Sequence, residues 1–188
     1  MDMYNIKWTP LQHKILRFLC IKAGQTFNLR RVAKPLKASP TAVSNALKSL
    51  KDAGLVSVES SKTMNLMSIK LNRDNKKAIE FKRAENLRMV YESGFSDFLY
   101  NEFPGCDIML FGSYSRGYDV WIGETKEHGS DIDIAIIGTK ERKVDLTKWN
   151  TLLERTIYLS FYDSWKGMHK HLRDSILDGI TISGGVEL

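Results

Sequence analysis

The stretch SDIDIAII (130–137) restricts what this chain can fold into more than any other part of it. In an extended strand, successive side chains point to opposite faces. Asp131 and Asp133 then share one face, while Ile132, Ile134 and Ile136 take the other. Residues i and i+2 lie about 7 Å apart along a strand, so two like charges are held close with no basic residue beside them in sequence. Such a pair is costly unless solvent or a cation occupies its face. The isoleucine face needs a covering layer, so the segment reads as a buried strand of a domain mixing helices and strands.

Upstream, CDIMLFG (106–112) reads as another buried strand entering a tight turn, and Gly112-Ser113 opens YSRG, the start of a helix. Strand, Gly-Ser turn, helix, then a strand carrying Asp-x-Asp resembles the core of the DNA polymerase β-like nucleotidyltransferase superfamily, over about residues 104–165. The resemblance implies that Asp131 and Asp133 are catalytic and hold Mg2+, and that Gly112, Ser113 and Arg116 bind the phosphates of an NTP. The residue types suit those roles. Glycine admits close backbone approach, and a serine hydroxyl or an arginine can bond a phosphate oxygen. Mg2+ takes one or two carboxylates and keeps its other positions for water and phosphate oxygens.

Two features depart from the family pattern. Seventeen residues (114–130) separate Gly-Ser from Asp131, more than compact members have. Competent members place a third carboxylate on a later strand of the same sheet. The corresponding segment here, RTIYLSFY (155–162), contains no acid; Glu154 and Asp163 flank it, and Asp145 lies earlier.

The front of the chain has a different grammar. Thr9-Pro10 and Ser39-Pro40 each set a capping residue before a proline suited to the first helical position. Leu11, Ile15, Phe18 and Leu19 recur at helical spacing after the first pair. Asn28 can cap a second helix over LRRVAKPL, which Pro35 should shorten or distort. After the second pair, TAVSNALKSLKDAG forms a helix stopped by Gly54, with Val43, Leu47 and Leu50 in one stripe. Thr41, Asn45, Lys48 and Asp52 lie opposite, flanked by Ser44 and Lys51. LVSVES and LMSIKL, joined by SKTMN, read as a hairpin.

Three helices and a hairpin resemble a winged helix-turn-helix DNA-binding domain over roughly residues 8–72. The resemblance implies double-stranded DNA as a partner. The third helix would offer Thr41, Ser44, Asn45 and Lys48 to the groove, and Lys62 at the hairpin tip would reach a phosphate. The whole chain further resembles proteins, common in archaea, that fuse a winged helix to a minimal nucleotidyltransferase domain. The tail HLRDSILDGITISGG fits their closing helix and short strand, with Ile176, Leu177 and Ile180 in the core and His169 and His171 at the surface.

Charge separates the two halves. The chain carries a net +6, yet residues 1–74 hold 13 Lys and Arg against 4 Asp and Glu, while residues 75–188 hold 15 against 18. The front half is therefore the candidate for a polyanion. No apolar stretch reaches membrane-span length, MDMYNIKWTPLQ lacks a basic-then-apolar signal pattern, and Cys20 and Cys106 give no disulfide framework. The expectation is an α+β cytoplasmic protein that uses no membrane and keeps its thiols reduced. Its parts are a winged helix (1–74), a helical linker (75–103) and a nucleotidyltransferase-fold domain with a small mixed sheet (104–188). Two functions stay open. One is an enzyme moving a nucleoside monophosphate from Mg-NTP to a protein or nucleic-acid hydroxyl. The other is a transcription regulator or antitoxin-like protein whose nucleotidyltransferase fold binds nucleotide or a partner protein without turnover. Homodimerisation is open in both.

Overall fold

The computed structural model describes residues 8–60, 67–121 and 130–185. The chain divides into two compact units: residues 1–82, joined by Val120 and Trp121, and residues 83–119 together with the chain after the second crossing.

In the first unit, α1 (Pro10–Ile21) begins at a capping box, with Thr9 Oγ1 accepting from the Gln12 amide (3.3 Å) and Gln12 Oε1 from the Thr9 amide (2.7 Å). Helix α2 (Leu29–Ala33) is capped by Asn28 and ends two residues before Pro35, although Lys34, directly before the proline, keeps helical angles (φ −56°, ψ −56°). Helix α3 (Pro40–Asp52) starts where Ser39 Oγ accepts from the Ala42 amide (3.1 Å). It buries Val43, Ala46, Leu47 and Leu50, each aliphatic side chain larger than alanine contributing about 1.5–3 kcal/mol. Strands β1 (Val56–Ser60) and β2 (Met67–Leu71) pair antiparallel, and Phe27 adds a bridge to Ile69. Helix, helix, helix and hairpin around one core is the arrangement of a winged helix-turn-helix. Trp121 is fastened to this unit by its amide to the Ala23 carbonyl (2.7 Å) and by Lys22 Nζ lying 3.7 Å from its ring centre.

Helix α4 (Lys76–Glu92) passes from the first unit into the second, and α5 (Phe95–Glu102) follows a break at Gly94, whose φ of 75° suits glycine. The second unit is built on a four-stranded sheet in the order β5-β4-β3-β6, from β3 (Asp107–Phe111), β4 (Ile132–Ile137), β5 (Ile157–Tyr162) and β6 (Ile180–Ser183). Strand β3 runs antiparallel to both β4 and β6, and β4 runs parallel to β5. Helix α6 (Gly112–Arg116) follows β3 at once, α7 (Thr147–Leu153) makes the crossover that a parallel pair needs, and α8 (Lys170–Leu177) leads into β6.

The sheet is covered on both faces. Ile108, Leu110, Ile132, Ile134, Ile136 and Ile157 pack with Val90, Phe95, Leu99, Phe103, Trp149 and Leu153. Met109, Ala135 and Ile137, from the opposite face, pack with Ile176 of α8 and with Trp165 of a 3-10 turn. Residues 75–103, expected as a linker, instead take part in the packing of both units: Ala78 and Phe81 in the first, and Val90, Phe95, Leu99 and Phe103 here. Phe95, Phe98 and Trp149 contact one another ring to ring, and Val90, Phe95 and Leu99 are fully buried. The charges on α4 disguised that role in the sequence. Among the described residues, no helix is long and apolar enough to cross a membrane.

Candidate functional site

Strand register assembles the centre of the site. Asp133 lies across from Phe111 on β3 and across from Tyr158 on β5. Gly112 follows Phe111 directly, with φ at 74°. A Cβ on Gly112 would overlap Asp133 Oδ2 and come within 3.2 Å of its Cγ. Both the left-handed backbone and the close carboxylate therefore call for glycine here.

Burial raises the Asp131 carboxyl above its ordinary value. Asp133 is raised by burial first and by the charge of Asp131 second. Among the described residues no cationic side chain offsets these shifts, and a cation bound at the pair would relieve them. Two half-buried carboxylates on one open strand face suit Mg2+, which needs no more than that from protein when phosphates and water supply the rest. Among the described residues, no group of three or more His, Cys, Asp or Glu side chains converges to hold a metal.

Ser113 is half-buried on the first turn of α6, and Arg116 is exposed at its last residue. Among the described residues, neither makes a hydrogen bond or ion pair to Asp131 or Asp133. Across from Asp133 on β5 stands Tyr158, and β5 itself carries no acid. Asp145 is committed elsewhere: its Oδ1 accepts the Thr147 amide (2.9 Å) at the start of α7, and that side chain's bonds hold its carboxyl below the usual range. Glu154 ends α7 in the left-handed region (φ 52°), and Asp163 is exposed just past β5.

Sequence reasoning missed a buried polar cluster in this unit. Arg155 Nη2 donates to Asp119 Oδ2 at 2.9 Å, with both side chains almost wholly buried. Asn86 Nδ2 donates to Asp119 Oδ1 (2.6 Å) and to the Tyr114 carbonyl (2.8 Å). Burial, reinforced by the Asp119 charge, pushes the Tyr114 phenol well above its ordinary value. The cluster fastens α4, α6, the residue before the chain crosses to Val120, and the residue ahead of β5. Its members are far apart in sequence, and an acid inside the apolar YDVW was the only trace of it.

On the first unit, Thr41, Asn45 and Lys48 are exposed on α3 and Ser44 is half-buried, all off the face that carries Val43, Leu47 and Leu50. Lys62 lies outside the described residues. Arg30, Arg31, Lys34 and Lys37, exposed along α2 and the turn after it, add positive charge that the motif alone did not single out.

No family model matches this chain, and no curated protein does. Among solved structures it is similar to the adhesin competence repressor AdcR of Streptococcus pyogenes, 22% identical over 53% of this chain and 70% of that one, with a TM-score of 0.40. It is also similar to ZitR of Lactococcus lactis, described as a zinc-responsive MarR family member, at 25% identity, 54% and 70% coverage and a TM-score of 0.36. A ZitR variant solved in complex with DNA is 24% identical, with 55% and 68% coverage and a TM-score of 0.40. TM-scores at this level do not establish a common fold, and the winged helix-turn-helix assignment rests on the chain's own elements.

Proposed function

We propose that this protein is a DNA-binding transcription regulator whose second unit binds a nucleoside triphosphate with Mg2+. The observation that carries DNA binding is the exposed Thr41, Asn45 and Lys48 face of α3, set beside the basic Arg30, Arg31, Lys34 and Lys37. Short polar side chains with amide and ammonium groups suit groove edges, and the surrounding charge suits phosphates. Nucleotide binding is supported by the Asp131–Asp133 pair and by Gly112, whose missing Cβ lets the Asp133 carboxylate lie against the turn that opens α6. When bound, Mg2+ would neutralise phosphate charge at these two carboxylates.

A second function, transfer of a nucleoside monophosphate to an external hydroxyl, is favoured by the same pair and weakened by β5, which has no acid to serve as general base. One experiment addresses both units. The full chain is titrated with mixed-sequence duplex DNA at several salt concentrations, with and without MgATP. Binding that falls steeply with salt supports the regulator, and no binding at low salt removes it. A rise in melting temperature with MgATP supports the nucleotide site.

A further inference from the structure

An exposed tyrosine stands across from Asp133, on a strand that carries no acid. Tyr158 is in register with Asp133 on the neighbouring parallel strand. Residues paired in register share a face of the sheet at a strand spacing of about 4.8 Å. The side chains next along that face, Met109, Ala135, Ile137 and the partly buried Tyr162, are covered by Trp165 and Ile176. Tyr158 escapes that cover and is 54% exposed. It belongs to neither packing cluster of the sheet, so packing gives no reason for an aromatic side chain there.

We propose that Tyr158 is an acceptor built into the site, taking a nucleoside monophosphate from the NTP held beside Asp131 and Asp133. The inference rests on the Mg-NTP binding proposed above. The phenolic oxygen attacks the α-phosphorus and forms the new P–O bond. The bond from the α-phosphorus to the bridging oxygen breaks, pyrophosphate leaves with that electron pair, and the phenolic proton passes to water. No redox partner is needed.

One physical reason favours this hydroxyl over an external one at a site without a general base. A tethered nucleophile gains an effective concentration on the order of 10⁵–10⁸ M when well oriented.

The test is to incubate the full chain with MgATP, then to record its intact mass, map any adduct by peptide sequencing, and measure melting temperature with and without nucleotide. The expected result is one added AMP per chain on Tyr158, lost by more than about tenfold in Tyr158→Phe and retained in Tyr118→Phe, another exposed tyrosine. Tyr158→Phe should keep the nucleotide-induced rise in melting temperature, which also shows that it is folded. A wild type that is stabilised by MgATP but gains no mass overturns the acceptor while leaving the nucleotide site standing. So does an adduct that persists in Tyr158→Phe. If neither stabilisation nor adduct occurs, the nucleotide site falls, and the acceptor falls with it.

Discussion

Gly112 and Asp133 fit together as backbone and side chain: the missing Cβ of Gly112 is the space that the Asp133 carboxylate fills. Gly-Ser and Asp-x-Asp are therefore one steric unit as well as two motifs. The residue that follows strand β3 must lack a Cβ because the partner strand delivers an acid to that spot, and its φ of 74° separately favours glycine.

Gly112→Ala should destabilise the protein by about 1–3 kcal/mol, from the positive φ together with the overlap. Thermal unfolding of Gly112→Ala, Asp133→Ala and the double variant checks the cause. The double variant should lose less than the sum of the singles, because Asp133→Ala removes the clash and leaves only the backbone strain. Strict additivity would show that the two residues do not touch.

Asp131→Asn should raise the melting temperature of the nucleotide-free protein near neutral pH. Both carboxyls are raised in the folded state. Stability linked to them is complete below the unfolded carboxylate value and is lost as pH rises through the folded one. Removing one charge restores part of it, and the gain should shrink as pH falls toward the carboxylate range. MgATP should stabilise the wild type by mass action and leave Asp131→Asn nearly unmoved. A lower melting temperature for the variant at neutral pH would mean that Asp131 had a stabilising partner.

Lys48→Ala should weaken DNA binding and reduce the slope of log affinity against log salt by about one. Asn45→Ala should leave that slope unchanged and narrow the difference between preferred and random duplexes, since an amide reads bases rather than charge. Equal effects of both variants on the salt slope would count against α3 as the helix in the groove.

Asp119→Ala should cost about 3–5 kcal/mol, because it leaves the Arg155 guanidinium in the core without its carboxylate. Denaturant melts should show the Asp119→Ala and Arg155→Met double variant recovering part of that loss. If Asp119→Ala unfolds at the wild-type midpoint, the pair does not hold this part of the unit together.

The sequence alone determined the local elements and the faces of their side chains. Thr9-Pro10, Asn28 and Ser39-Pro40 mark helix starts because capping chemistry is local, acting within one turn. Asp131 and Asp133 fall on one face because strand geometry alternates whatever the partner strand is. Only tertiary structure decided what lies beside them. That β5 runs parallel to β4, bringing Tyr158 rather than Glu154 or Asp163 against Asp133, depends on the crossover through α7 and on register between distant segments. The same holds for the Asp119–Arg155 pair and for the core role of Phe95 and Leu99. Burial of a charge, or of a helix face among charges, depends on what packs over it, and no local pattern records that.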